Sequence, residues 1–264
     1  MLTVELVFFL KVIVTVGLVL ILSIIAEYIS PRAAGILAGY PLGAAIALFF
    51  IGVEMGPEFA SNSAVYTMIG LVATQSFVYF YFKSALLFER WNILISSIFA
   101  VIGYSVVIWI LHFVNINKYL AILIPIISVF LFAYLFREIK NVTIRERIKL
   151  SLKIIVLRAV MAALIILFIT GVARLVGSTW AGLFSAFPIT LFPLILIIHV
   201  TYAKEHVYTI IKNFPLGLGS LIVYALTVSI VYPAYGIYLG TVISLTAATV
   251  YLIVFFLVMR QIRK

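Results

Sequence analysis

The residues of this chain best placed to do chemistry lie inside apolar runs. Gly35, Gly39 and Gly43 recur at intervals of four in the run AAGILAGYPLGAA, with Pro41 among them. That spacing puts the glycines on one helical face, where a second backbone can approach closely. Gly182, Ala186 and Thr190 form a matching small-residue stripe around Pro188. A proline inside a helix removes one hydrogen bond and clashes with the carbonyl four residues earlier. Opened turns are therefore predicted near Leu37 and Phe184, with carbonyls that protein or a water-filled cavity must satisfy. The chemistry of such a pattern is binding, not bond-making: backbone dipoles held where the surroundings offer no water. Simple kinks needed for packing are the alternative.

Polar residues inside the same runs extend the candidate list. Thr74, Gln75 and Ser76 fall near the centre of one run, Ser220 and Tyr224 at comparable depth in another. Gln75 carries two donors and two acceptors that need partners, either a substrate or a neighbouring helix. Tyr104 and Tyr251 sit well inside their runs and are expected to flank a shared space, since buried phenols find hydrogen-bond partners. Lys11 and Arg158 lie in the first turns of their runs. Snorkelling to headgroups explains both; an anionic substrate drawn in from either face is the sharper reading. Arg174 is a further cation. Glu58 and Glu205, with His206 beside the latter, read as gating ion pairs or proton carriers, or as solvated loop carboxylates; Glu27 and Glu54 are further carboxylates able to carry a proton. No Ser/His/Asp set, phosphate loop or paired-Asp motif is present, and His112, His199 and His206 are too scattered for a metal site. No enzyme activity, catalytic residue, metal or cofactor is expected.

The elements that must position these residues follow from composition. Of 264 residues 66% are apolar and 10% charged, with mean hydropathy +1.31. Soluble domains carry about 45–50% apolar and about a quarter charged residues, so the chain reads as an all-α, polytopic membrane protein. Cysteine is absent, which excludes disulfides and thiolate chemistry; aspartate is absent too. Apolar runs at 7–28, 33–53, 64–83, 92–111, 119–136, 155–176, 181–201, 207–231 and 235–258 give nine transmembrane helices. With nine, all Lys and Arg except Lys11, Lys118 and Arg174 fall on one side. That bias places the N-terminus outside and the C-terminus in the cytoplasm of a cell membrane. The +10 charge is thereby explained by orientation, and no nucleic-acid partner is expected. The run from Arg137 to Lys153 reads as a solvated topology determinant or an interfacial helix on anionic headgroups.

A shift of 147 residues lays the chain on itself: Ala34-Gly35 meets Ala181-Gly182, Pro41 meets Pro188, Glu58 meets Glu205, Gly70-Leu71 meets Gly217-Leu218, and Tyr104 meets Tyr251. Each copy holds four spans, residues 1–112 and 154–264, joined by a linker helix and basic segment at 113–153. Four plus one is odd, so the second copy enters the membrane inverted, a 4+1+4 plan recurrent in secondary transporters. The second copy also resembles the GlpM-like membrane proteins, through Ala181-Gly182-Leu183, Phe187-Pro188, the stretch to Ile198-His199 and the loop before Val207. Ala34-Gly35-Ile36 and Tyr40-Pro41 carry a weaker likeness. The resemblance implies a permease-like role and an origin in a duplicated four-span protein.

The expected function is a secondary transporter or flippase, moving a small amphiphilic, anionic or lipid-linked substrate by alternating access, with membrane lipids around it. A non-transporting membrane subunit or scaffold is the alternative, and a lipid-modifying enzyme a third. Transport predicts a polar, water-accessible cavity between the Pro41 and Pro188 helices. A scaffold predicts a dry, filled seam.

Overall fold

The structure, a computed structural model, describes residues 4–88, 92–114, 117–144, 152–173 and 175–262, all helical apart from short connections. The elements are α1 (Val4–Tyr28), α2 (Pro31–Ala38), α3 (Leu42–Met55), α4 (Pro57–Leu87), α5 (Asn92–His112), α6 (Lys118–Leu135), α7 (Leu152–Ala173), α8 (Ser178–Ser185), α9 (Leu191–Thr201) and α10 (Lys204–Ile262). Local chemistry sets several boundaries. Ser30 caps α2, its Oγ accepting from the Ala33 amide at 3.0 Å, and Pro31 opens the helix. A proline at the first helical position forfeits no hydrogen bond. Asn117 caps α6 in the same way, through the Leu120 amide.

Four helical segments among the described residues are long and apolar enough to cross a membrane: Pro31–Met55, Pro57–Leu87, Asn92–His112 and Lys204–Gln261. These make the chain a multi-pass membrane protein. Its outer surface agrees, since Phe9, Ile13, Trp109, Phe130, Val242 and Ile253 all stand exposed. The two last apolar runs form one element, α10, bent at Gly236, whose φ of 75° suits glycine. Unbent, its 59 residues would measure about 89 Å at 1.5 Å each, far more than a bilayer.

Both predicted openings are present. The chain leaves helical geometry between α2 and α3 at Gly39–Pro41, and between α8 and α9 at Ala186–Thr190. Helix bounds recur at the 147-residue shift, with Pro31–Ala38 falling on Ser178–Ser185. The core is built where α4 packs on α5, α6, α8 and α10, and α10 packs on α2. Of the run from Arg137 to Lys153, residues 145–151 lie outside the described residues, and residues 137–144 are not helical. They run as turn and extended chain against the start of α10, which satisfies their backbone: Lys212 Nζ donates to the carbonyls of Arg137 and Ile139, and the Val142 amide donates to Thr209 Oγ1 at 2.9 Å. Asn213 adds a bond to the Asn141 side chain.

Candidate functional site

The two broken helices meet at Gly43 and Thr190, positions 147 residues apart in the sequence. A methyl group added to Gly43 would lie 3.3 Å from Ile189 Cβ and 3.6 Å from Thr190 Cγ2. Around this point the contacts are reciprocal. Added at Gly35, a methyl group would collide with the Ile210 carbonyl; added at Gly182, with that of Ser63, the equivalent of Ile210. Gly39 lies against Gly217, and their equivalents Ala186 and Gly70 lie against each other. Glycine is required at Gly35, Gly39, Gly182 and Gly217, where another backbone approaches without room for Cβ.

The seam itself is filled. Gly43, Thr190, Ile189, Ile46 and Ala47 are all buried, and Phe50, Ile166 and Ile169 pack beside them. None of the five cavities found at the sides of the bundle opens between the Pro41 and Pro188 helices. Small side chains on one face allow close approach, and the same approach closes the space.

The freed carbonyls find protein partners instead of water. Local turns satisfy the two expected ones, through Tyr40 N to Leu37 O (3.1 Å) and Phe187 N to Phe184 O (2.9 Å). At the second break, hydroxyls on neighbouring helices supply three further donors. Thr67 Oγ1 donates to Gly182 O at 3.1 Å, Thr74 Oγ1 to Ala186 O at 2.5 Å, and the Tyr104 hydroxyl to Leu183 O at 2.5 Å. Among the described residues no side chain donates to the equivalent carbonyls of Gly35, Ile36 and Gly39.

The remaining candidates disperse. Gln75 faces α6, where its Nε2 donates to Ser128 Oγ at 2.6 Å while its Oε1 has no partner. Ser220 bonds within its own helix to Gly217 O. Tyr224 is fully buried with an unpartnered hydroxyl, in a cluster with Tyr40 and Tyr232. Tyr251 does not share the surroundings of Tyr104; it is 37% exposed and lines a shallow groove between α6 and α10. Glu58 and Glu205 are exposed, and neither forms an ion pair among the described residues. The side chains of Arg158 and Glu27, and all of Arg174, lie outside the described residues.

Lys11 does not snorkel. It is 5% exposed, pairs with Glu54 of α3, and donates to Thr170 Oγ1 of α7 at 2.9 Å, with the Phe50 ring 5.6 Å away. One charge pair and one hydrogen bond thereby tie α1 to α3 and to α7. Intramembrane ionisable pairs of this kind are functional candidates by default.

Cavities lie at the sides of the bundle. One of about 430 Å³ sits between α5, α7 and α8, against Tyr104, Phe184 and Phe187. Another of about 370 Å³ sits between α1, α3 and the second arm of α10, with an almost wholly apolar lining. A third, about 820 Å³, lies between the start of α5 and the end of α9, where Asn92, Ser97, His199, Tyr202 and Lys204 meet Leu94, Phe192 and Leu196. The Tyr81 hydroxyl is 2.8 Å from His199 Nδ1. Nothing in local sequence pattern joins Tyr81 to His199 or Lys11 to Glu54; only the third dimension does. Comparisons with protein-family models, with curated proteins and with solved structures find no match to this chain.

Proposed function

We propose that the chain is a secondary transporter or flippase of a cytoplasmic membrane, nine-spanning, with two inverted four-helix copies that exchange outward and inward arrangements. The observation carrying this reading is the reciprocal packing of the two broken helices about Gly43 and Thr190. Contacts that pair i with j in one copy and their equivalents in the other leave two arrangements of similar energy available. The Lys11–Glu54–Thr170 link is the latch that holds one of them.

The filled seam and lateral cavities favour an amphiphilic or lipid-linked substrate, which can travel along the outer grooves with its chain in lipid. A small polar solute would need water at the centre. The permease-like role implied by the GlpM-like resemblance is consistent with this assignment. The filled seam also favours a second reading, a non-transporting membrane subunit whose duplication is purely structural.

Thr190→Cys separates the two, since the chain has no other cysteine. A membrane-impermeant maleimide is applied to right-side-out and to inverted vesicles. Alternating access gives labelling from both sides, at different rates. Protection from both sides over hours would establish the static seam and overturn the transport assignment.

A further inference from the structure

The cavity between α5 and α9 has a polar end and an apolar end, and the two are ordered along one helix face. Leu94, Ser97, Val101, Tyr104 and Ile108 follow each other at intervals of three and four, the spacing of a single helical stripe. The first two line the α5/α9 cavity; the last three line the α5/α7/α8 cavity. Phe187 and Phe192, with ring centroids 6.1 Å apart, stand between them, one facing each space. Leu94 and Val101 are exposed, so the track is open to its surroundings over its first two turns, while Tyr104 and Ile108 are buried.

The polar end is built for an anion. Tyr81 is fully buried, and His199 Nδ1 is its hydroxyl's partner. A buried hydroxyl hydrogen left unused is costly, so Tyr81 donates and Nδ1 accepts. That fixes the neutral ring with its proton on Nε2, leaving an N–H donor for the groove. Lys204 lines the same space, lies within electrostatic reach of the ring, and forms no ion pair among the described residues. Glu205 is also within reach of the ring, but it lines the neighbouring cavity beneath residues 137–144.

We propose that this groove binds a membrane lipid with an anionic, phosphate-bearing headgroup, held by Lys204 and His199 Nε2–H with its hydrocarbon along the α5 stripe. A free anion has no use for the apolar track, and a zwitterionic lipid sets its own ammonium against Lys204. The site stands on the groove's own geometry; a chain that bound such a lipid without moving it would keep this assignment and lose the transport one.

Native mass spectrometry of the full chain, exchanged from detergent into equimolar phosphatidylglycerol and phosphatidylcholine, tests it. The wild type should retain one phosphatidylglycerol in preference. Lys204→Gln should reduce that preference about tenfold, the worth of one charge-assisted hydrogen bond, and Lys204→Arg should restore it. Lys140→Gln removes a like charge from an exposed position on the linker and should change nothing. Unfolding temperatures confirm that each variant is folded. Equal retention of the two lipids by the wild type would overturn the proposal. So would equal losses in Lys140→Gln and Lys204→Gln, or displacement of the bound lipid by inorganic phosphate alone.

Discussion

The α2/α3 and α8/α9 breaks follow the same backbone course yet are held by opposite means. The second is braced by side-chain donors, with Thr67, Thr74 and Tyr104 reaching its carbonyls from α4 and α5. At the first, the positions equivalent to Thr67 and Thr74 are Phe214 and Leu221, which cannot donate. Backbone proximity substitutes: Gly39 against Gly217, where the second break has Ala186 against Gly70. The ring pair Phe77–Phe187, 5.6 Å apart, becomes Tyr224 and Tyr40. Charged and polar features are equally one-sided. Positions equivalent to His199 and Lys204 are Gly52 and Pro57, and the one equivalent to Glu54 is Thr201. The difference teaches that glycine and proline fix where the helices break and touch, while the polar groups that could recognise a ligand have diverged. One side of the molecule packs; the other carries the groove proposed to bind.

The largest effect is expected where backbone packs directly on backbone. A methyl group at Gly39 would sit 2.6 Å from the Phe214 carbonyl oxygen and 2.9 Å from Gly217 Cα. Backbone cannot step aside as a flexible side chain can. Gly39→Leu should therefore cost about 3 kcal/mol or more, and Gly39→Ala about 1–3 kcal/mol, read as unfolding in detergent. Ala186→Gly, which gives the second break the first one's residue, should cost about 1 kcal/mol or less through helix propensity and a small void. Equal tolerance of Gly39→Ala and Ala186→Gly would erase the contrast between the breaks.

Of comparable size is the effect at the buried pair, present on one side only. Lys11→Ala leaves Glu54 without this cation inside the bundle, and removing one partner of such a pair costs about 3–5 kcal/mol. Replacing both, as Lys11→Met with Glu54→Leu, should come within about 1 kcal/mol of the parent. The transport reading adds a second expectation: the double variant, lacking its latch, labels faster at Thr190→Cys. An unchanged labelling rate would make the pair merely structural.

Smaller still are the hydroxyl braces. Thr74→Val should cost about 1 kcal/mol, in the upper range measured for hydrogen bonds between membrane helices. Leu221→Thr would place a hydroxyl near the carbonyl of Gly39, as Thr74 is near that of Ala186. It should lose less stability than Leu221→Ala, because the new donor offsets part of the lost apolar contact. If the two are equal, the Gly39 carbonyl needs no donor.

Much of this architecture was legible beforehand because Gly and Pro act locally. Pro41 and Pro188 each mark a break, and the small-residue stripes mark the contacts. What those stripes enclose was not legible. Spacing reports which face approaches a neighbour, not whether water remains between them, so it left open both the polar cavity that transport predicts and the filled seam that a scaffold predicts. Lys11 was read as snorkelling because its depth is local information, while Glu54, 43 positions away in sequence, is not. The same holds for Tyr81 and His199, 118 apart. Residues 137–144, where an interfacial helix was one of two readings, are non-helical for a related reason: Lys212 and Thr209 on α10 bond their backbone and Asn213 bonds the Asn141 side chain.

Gln75 gives the finest comparison, because its equivalent in the other copy is Ile222. The amide spends Nε2 on Ser128 at 2.6 Å, yet leaves Oε1 buried and unpartnered. Gln75→Ile makes the two copies alike at this depth. It loses one interhelical hydrogen bond, worth about 0.6 kcal/mol on average, and removes an orphaned acceptor whose burial costs about 1–3 kcal/mol. Ser128 keeps its own bond to the Pro125 carbonyl at 2.9 Å, so no new orphan donor is created. The substitution should therefore be neutral or stabilise the fold by about 1 kcal/mol, with labelling at Thr190→Cys unchanged. A loss of more than about 1 kcal/mol would mean that Oε1 is satisfied in the membrane, by water or by a ligand. Gln75 would then belong with the binding side of the molecule rather than with its packing.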